Sequence, residues 1–561
     1  MMRKFLLAAT LGSFLLFGVN DAFAEHFSLS FSKFCQAESV KGAGASTADG
    51  PAEPATNTRT EKAQARSAED VALSERLQDL ITSKLQQYVT RPQDRTAVEA
   101  FYRERDFAPI WVNAAGALPS TRKTVDFLHG VSADGLDPKD YPTPTFAVSD
   151  PTRLAADELA LTNSIVTFVR DASNGKIPFS RVSGSIYFDL KSPDLQQTLE
   201  KIAGSPDIAA TLDSFNSQQA QYKELKAALA RARKKLDADE TNTQRAHKNA
   251  ASEPKVSAQV DAILANMERW RWLPHDLGPS YVMVNIPDYT LTVMSNGKPV
   301  WSTRVVVGQP GKHATPLLAE TMKYITFNPT WNVPPSIIRN EYLPALARDP
   351  TVLARMGLRI GRNSDGSIRI YQPPSERNAL GRVRFNFPNQ FLVYQHDTPD
   401  KYLFSKSLRA YSHGCMRVEY PDKYAETLLS ISQPEELYTV QRIRSLYGRG
   451  ERDVNLKNPI PVYLTYQTVF FDESGQLQTR PDIYGLDKNV TALLRGETAV
   501  AHIPVARNYA GERPVRARAP SRHGYEVVEQ PYSLDRTRDP YFAGSGGGSS
   551  YYYEYDRRRS W

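Results

Sequence analysis

Apolar positions recur with two different periods along this chain, and the change of period divides it. Leu73, Leu77, Leu80, Ile81 and Leu85 return every three or four residues, which predicts an amphipathic helix. Val98, Phe101 and Tyr102 predict a second helix, ending near Phe107–Trp111. Leu154, Leu159, Leu161, Ile165, Phe168 and Val169 predict a third over 154–170, and 221–236 reads as a fourth. Residues 71–260 are therefore expected to form a helical domain, with 231–258 as a charged linker or helix extension. From Tyr281 the period falls to two. Tyr281–Ile286, Thr290–Met294 and Val300–Val307 read as strands, joined by a turn at Pro287-Asp288-Tyr289 and a hairpin at Ser295–Lys298. Further strands are expected at Lys323–Phe327, Ser367–Tyr371 and Phe391–His396.

The expected fold class is α+β and multidomain: a mostly antiparallel β domain, 261–440, behind the helical domain, with disordered termini. Within it the polar, Pro/Gly-rich stretch of about 340–385 reads as a mobile cover over a site. Residues 441–488 are expected to be an extension packed on the core. Residues 25–70 read as a disordered linker, and 489–561, rich in Arg, Tyr and Gly, as a disordered tail.

Composition narrows the function classes. The 561 residues hold 23 Phe, 28 Tyr and 6 Trp, enough aromatic surface for a large core, so the whole chain is not disordered. Beyond the N-terminus no stretch nears the ~20 apolar residues of a bilayer crossing, which excludes a multi-span membrane protein. The net charge of +7 permits attraction to an anionic polymer without demanding one, and no nucleic-acid partner is expected. Arg3 and Lys4, the apolar run Phe5–Val19 and Ala22-Phe23-Ala24 read as a signal peptide over 1–24, cleaved after Ala24, so no transmembrane span is expected in the mature chain. An uncleaved anchor is the alternative. Cys35 lies too far past the cleavage point for lipid attachment. The expected address is the periplasm, an oxidising compartment in which a surviving lone thiol needs a reason.

Cys415 has such a reason. Phe391 to Glu419 reads FLVYQHDTPDKYLFSKSLRAYSHGCMRVE. On a strand, Leu392, Tyr394 and His396 would share one face. Cys415 follows His396 by nineteen residues and is preceded by Ser412-His413-Gly414. A free thiol is mostly protonated at neutral pH, and a nearby imidazole can take its proton, an effect worth ~10²–10⁴ in rate. Gly414 allows close backbone approach to a substrate. Backbone N–H groups near Cys415, with the Tyr394 hydroxyl, are candidates to hold an oxyanion. Rival readings are a buried structural thiol and a zinc site made by His396, His413 and Cys415, whose spacing lacks a second close ligand pair. The Gly-Ser-Cys-Trp type neighbourhood of papain-like proteases is absent. No metal and no organic cofactor are expected.

The segment Ser412-His413-Gly414-Cys415-Met416-Arg417-Val418, with His396 upstream, resembles the signature of the L,D-transpeptidases with a YkuD-type catalytic domain. Val307-Gly308-Gln309-Pro310, Thr315-Pro316, Phe327–Pro334, Asn378–Gly381 and His396–Pro399 resemble that family's large, scaffold-bearing branch. Phe101-Tyr102 to Trp111 and Gly135-Leu136-Asp137-Pro138 resemble its helical scaffold. The resemblance implies an enzyme that forms 3→3 peptidoglycan crosslinks through a cysteine thioester. Its partners would be the stem peptides, a donor tetrapeptide and an acceptor, and cell-wall assembly proteins are conceivable. Cys415 would be the nucleophile and His396 the general base or acid; Ser412, His413 and Gly414 would shape the pocket. Tyr394 would join them, while Arg417 would either pair a substrate carboxylate or brace its loop. The same acyl-enzyme could serve protein attachment or hydrolysis, and a wall-binding protein with an inactive domain is the alternative of another class. The branch often inserts a small peptidoglycan-binding module before Asn266; here only 231–258 occupies that place.

Overall fold

The computed structural model describes residues 67–147, 150–246, 253–363, 366, 368–448 and 450–497. The expected signal peptide, Cys35, nearly all of the linker 25–70, residues 247–252 of the charged stretch and 498–561 of the tail lie outside them.

Helix α1, Ala68–Tyr88, opens on Ser67, whose hydroxyl accepts from the Asp70 amide at 3.1 Å. Helix α2 is Pro92–Glu104 and α3 is Pro151–Asn174, the latter capped by Asp150. Leu73, Leu77, Phe101, Leu159 and Phe168 meet in one core that also holds Leu199 and Leu212. A carboxylate sits inside it. Glu158 accepts from Tyr102 Oη and the Ile110 amide, both at 2.7 Å, and from the Trp111 amide at 2.9 Å. Trp111 Nε1 donates to Thr162 Oγ1 at 2.9 Å. These bonds pin the chain where it leaves α2. Burial lifts the Glu158 carboxyl to about 7 against the pull of its donors.

The expected single helical domain does not keep one core. Helices α4, Ala220–Ala246, and α5, Glu253–Arg271, pair with each other. Their Tyr222, Leu225, Ile263, Met267 and Trp270 are buried with Val282, Val284 and the rest of the β core. The stretch 231–258, expected as a charged linker or a helix extension, is helix through Ala246 and again from Glu253.

The β domain is one sheet whose path closes on itself. Its strands are β1 (Ile186–Tyr187), β2 (Ser280–Asn285), β3 (Thr290–Ser295), β4 (Lys298–Gly308) and β5 (Leu317–Phe327), then β6 (Val383–Asn386), β7 (Gln395–His396), β8 (Ala410–Ser412), β9 (Met416–Val418) and β10 (Arg452–Thr465). The order is β6–β7–β9–β4–β3–β2–β10–β5–β1; β8 lies beside β4, and β6 also pairs with β5. Most pairs are antiparallel, as expected, but β7–β9, β2–β10, β4–β8 and β1–β5 are parallel. Parallel neighbours need crossovers. Helix α6, Pro421–Ser432, lies between β9 and β10 in the chain and buries Tyr424 and Leu428 in the core.

Three expectations are corrected. Residues 441–488 are more than an extension, because β10 stands inside the sheet between β2 and β5. The tail does not begin at 489: helix α7, Leu486–Leu494, buries Asn489 and Val490. Phe391–His396 is not one strand. Leu392 has φ +54° in a turn organised by Asn389, so only Tyr394 and His396 keep the alternation. Between β5 and β6 the expected cover is a small unit with its own core of Val333, Ile337, Tyr342, Leu353, Leu358 and Ile370.

Buried charge joins α5 to α4 and to the segment that follows α3. Arg271 donates to Glu268 Oε2 at 3.0 Å and to Tyr222 Oη at 2.8 Å, while Glu268 Oε1 accepts from the Ile177 amide at 2.6 Å. Both side chains of the ion pair are 1% exposed, so neither charge can fall back on water. Glu268→Ala strands the guanidinium and is expected to cost about 3–5 kcal/mol in urea unfolding. A loss below about 1 kcal/mol would contradict this account.

Candidate functional site

The site lies on one face of the sheet because the register puts it there. Across β5, β6, β7, β9 and β4 the partners run Thr326, Arg384, His396, Arg417, Val306. Residues paired across strands share a face. The alternate residues Ile325, Phe327, Val383, Phe385, Met416 and Val418 face the core. Tyr394 stands two positions before His396, and Cys415 two before Arg417. Extending the parallel register of β7 and β9 therefore sets Tyr394 beside Cys415, on the face that carries His396.

His396 is buried, and its Nδ1 donates to the Asp397 carbonyl at 2.5 Å, which leaves Nε2 unprotonated. Asp397 is held in turn: its Oδ2 accepts from the Arg382 amide at 2.8 Å, and its Oδ1 accepts from the Thr398 amide at 2.7 Å and from Lys401. Gly381 makes room for that carboxylate. A Cβ there would lie 2.3 Å from Asp397 Oδ2. Burial, with Arg417 and Arg384 close by, pushes the imidazole down to about 3. His396 is thus neutral at pH 7.

Cys415 is half-buried, with its sulfur 4.0 Å from the Leu392 carbonyl. Burial pushes the thiol up to about 11, although the Tyr394 amide and hydroxyl, then Arg384 and Arg417, all favour the thiolate. The two shifts favour a neutral thiol beside a neutral imidazole.

The turn carrying the thiol is tied from within. Ser412 Oγ donates to the Cys415 carbonyl at 2.5 Å and accepts from the Gly414 amide at 3.1 Å. Thr315 Oγ1 donates to the Gly414 carbonyl at 2.8 Å and accepts from the Gly308 amide at 2.8 Å. Tyr484 Oη donates to the Gly308 carbonyl at 2.7 Å. Gly414 has φ +117°, a conformation that side chains other than hydrogen resist. With the Gly414 amide taken by Ser412, the Cys415 amide has no hydrogen-bond partner among the described residues.

Residues 279–445 match the family of the L,D-transpeptidase catalytic domain, and residues 96–229 match the Scaffold domain. The chain carries a YkuD-type L,D-transpeptidase catalytic domain. A protein of Haemophilus influenzae that bears an L,D-transpeptidase name is 30% identical over 253 residues, 42% of this chain. The match spans 50% of that relative, about half its length. Solved structures with a partial likeness include an Ldtfm–avibactam carbamoyl enzyme, at 14% identity and TM-score 0.18, covering 38% of this chain and 63% of that one. Another is an L,D-transpeptidase from Mycobacterium smegmatis, at 15% identity and TM-score 0.18, covering 33% of this chain and 58% of its own.

Within the L,D-transpeptidase domain the residues singled out from sequence fall into two groups. Tyr394, His396, Cys415 and Arg417 come together on one face; the Tyr394 and His396 rings meet edge to face at 5.7 Å. Ser412 and Gly414 form the turn beneath. His413 points elsewhere: its Nε2 is 2.8 Å from Glu341 Oε1 of the cover unit, and its ring is 4.5 Å from that of His313. Burial and the neighbouring His413 push His313 down to about 4. Among the described residues no three His, Cys, Asp or Glu side chains converge as metal ligands. Arg417 donates to Asp400 Oδ2 at 2.9 Å, the bracing geometry. Sequence reasoning missed Arg384, although the alternation Val383, Phe385, Phe387 marked it as outward-facing. It also missed Tyr484 and Glu341, which touch the motif only through folding.

A raised thiol pKa extends the neutral form upward in pH, so reactivity should climb with pH through the thiolate fraction. Iodoacetamide labelling of the Cys415 peptide, followed by mass spectrometry, is expected to rise about tenfold per pH unit from pH 7 to near pH 10. A plateau reached below pH 8 would contradict the neutral pair.

Proposed function

We propose that this chain is a periplasmic L,D-transpeptidase that forms 3→3 crosslinks between peptidoglycan stem peptides. The 1–24 segment would direct its export. The observation that carries the reading is the pairing of β7 and β9, with His396 fixed by Nδ1 and open at Nε2 on the face that bears the thiol.

The chemistry follows from that arrangement. Cys415 Sγ attacks the carbonyl of the third residue of a donor tetrapeptide while its proton passes to His396 Nε2. The Cys415 amide, with the Tyr394 hydroxyl, takes the charge that develops on oxygen; one such donor is worth about 10²–10³ in turnover. The intermediate collapses, the terminal D-alanine leaves with the proton from Nε2, and a thioester remains. The side-chain amine of a second stem peptide then attacks. Its proton goes to Nε2, the C–S bond breaks, and the thiol is restored as the amide forms. The depressed imidazole pKa keeps His396 in its neutral, accepting form throughout the physiological range but makes it a weak base, so the proton would transfer only as charge develops on the attacking sulfur or amine.

The cover unit would give the site a roof. Glu341 joins it to His413 beside the nucleophile, and its own core makes it a folded piece rather than a loose loop. A roof of that kind excludes water, which favours capture of the thioester by an amine over hydrolysis.

Muropeptides from cells expressing the wild type are expected to contain 3→3 dimers that vanish with Cys415→Ala. With His396→Ala they should fall by about 10²-fold or more while the protein still melts cooperatively. Equal dimers in wild type and Cys415→Ala would remove the crosslinking reading. Shortened stems without dimers would indicate hydrolysis.

A further inference from the structure

The two arginines that flank His396 differ in one respect. Arg417, on β9, gives its guanidinium to Asp400. Arg384, on β6, occupies the matching position on the other side of His396 and has no carboxylate within ion-pairing distance among the described residues. Its Nε is buried and has no hydrogen-bond partner. The contact it does make is with the Tyr394 ring, whose centroid lies 5.6 Å from its Cζ. A ring face attracts a cation but leaves the N–H donors unsatisfied.

Nearby acids are committed elsewhere. Asp453, one row beyond Thr326, accepts from Thr326 Oγ1 at 2.6 Å, and Glu451 accepts from the Thr330 amide at 2.8 Å. Asp397 is held by Lys401, the Arg382 amide and the Thr398 amide. Arg384 is thus a cation with an unmade donor, beside Tyr394 and His396, on the face where a donor peptide must lie. A guanidinium in that condition matches a carboxylate by paired, charge-assisted hydrogen bonds.

We infer that Arg384 is the carboxylate-binding residue of the site, holding a carboxylate of the donor stem peptide, while Arg417 is a brace. The inference rests on the stem-peptide reading above and adds a specificity element to it. A stem tetrapeptide offers three candidates: the α-carboxylate of its γ-linked D-glutamate, the side-chain carboxylate of diaminopimelate and the terminal carboxylate. The site would select donors that keep the matching charge and bind poorly those in which it is an amide.

Binding to protein that cannot react tests this apart from catalysis. The protein is the full chain carrying Cys415→Ala, alone or with Arg384→Gln or Arg384→Lys. The probes are L-Ala-γ-D-Glu-meso-diaminopimelyl-D-Ala and its three singly amidated forms, titrated by calorimetry. One amide is expected to bind Cys415→Ala about tenfold or more weakly than the parent peptide. In Cys415→Ala/Arg384→Gln that penalty should shrink to less than about twofold, and Arg384→Lys should keep part of it. Each comparison is a ratio within one protein, so partial unfolding cannot imitate the result. The same amide penalty with and without Arg384, equal binding of all four peptides, or binding of none would overturn the inference. An Arg384-dependent penalty in a protein whose wild type makes no 3→3 dimers would sink the crosslinking reading and leave the carboxylate site standing.

Discussion

The parallel contact between β7 and β9 is the constraint on which the rest of the site depends. It is only two residue pairs long, yet it joins chain segments twenty-one residues apart and fixes which of their side chains share a face. Slipping either strand by one residue would send His396 or Cys415 to the core side and bring Gln395 or Met416 to the surface. The apolar residues beneath, with the Tyr424 hydroxyl donating to Gln395 Oε1 at 2.7 Å, resist that slip. A site built on so short a pairing needs support from outside it. Thr315, Tyr484 and Ser412 brace the turn before β9, and Asp397 braces the turn after β7.

Burial sets the chemistry as firmly as geometry does. The same desolvation that pushes the thiol up pushes the imidazole down, so the two groups move away from an ion pair. Two arginines on the same face act in opposite senses on them: they favour a thiolate and disfavour an imidazolium. The outcome is a neutral couple that stores no resting charge. In the proposed reaction charge would appear only as a substrate carbonyl accepts it, beside a Cys415 amide that has no hydrogen-bond partner among the described residues. That arrangement also keeps the Cys415 thiol from behaving as a reactive thiolate.

Much of this was legible in the residues. The period change at Tyr281, the hairpin at Ser295–Lys298 and the helical spacing of Leu73 to Leu85 needed only local pattern, and each element formed where the pattern placed it. What failed depended on tertiary context. Leu392 looked like a strand residue by alternation, but Asn389 folds the chain into a turn there. Asn489 and Val490 looked like the start of a polar tail, yet they close the core as part of α7. The partners of Arg269 and Arg271, which are Asp134, Tyr222 and Asp487, are far away in sequence and meet them only through folding. At the site, His396 and Cys415 were visible as residue types at a telling spacing. Arg384 was not, because its significance lies in what it lacks, and a missing partner can be seen only once the neighbours are in place.

The central claim is that the fold presents a neutral His396, protonated at Nδ1 and open at Nε2, to a neutral Cys415 thiol. Nitrogen-15 NMR of the histidines at pH 7, with His396 assigned through His396→Gln, reads this directly. The account predicts a protonated, pyrrole-type Nδ1 and an unprotonated, pyridine-type Nε2, unchanged in Cys415→Ala. Two equivalent imidazolium nitrogens at pH 7 that revert to the neutral pattern in Cys415→Ala would reveal a resting thiolate–imidazolium pair and contradict it.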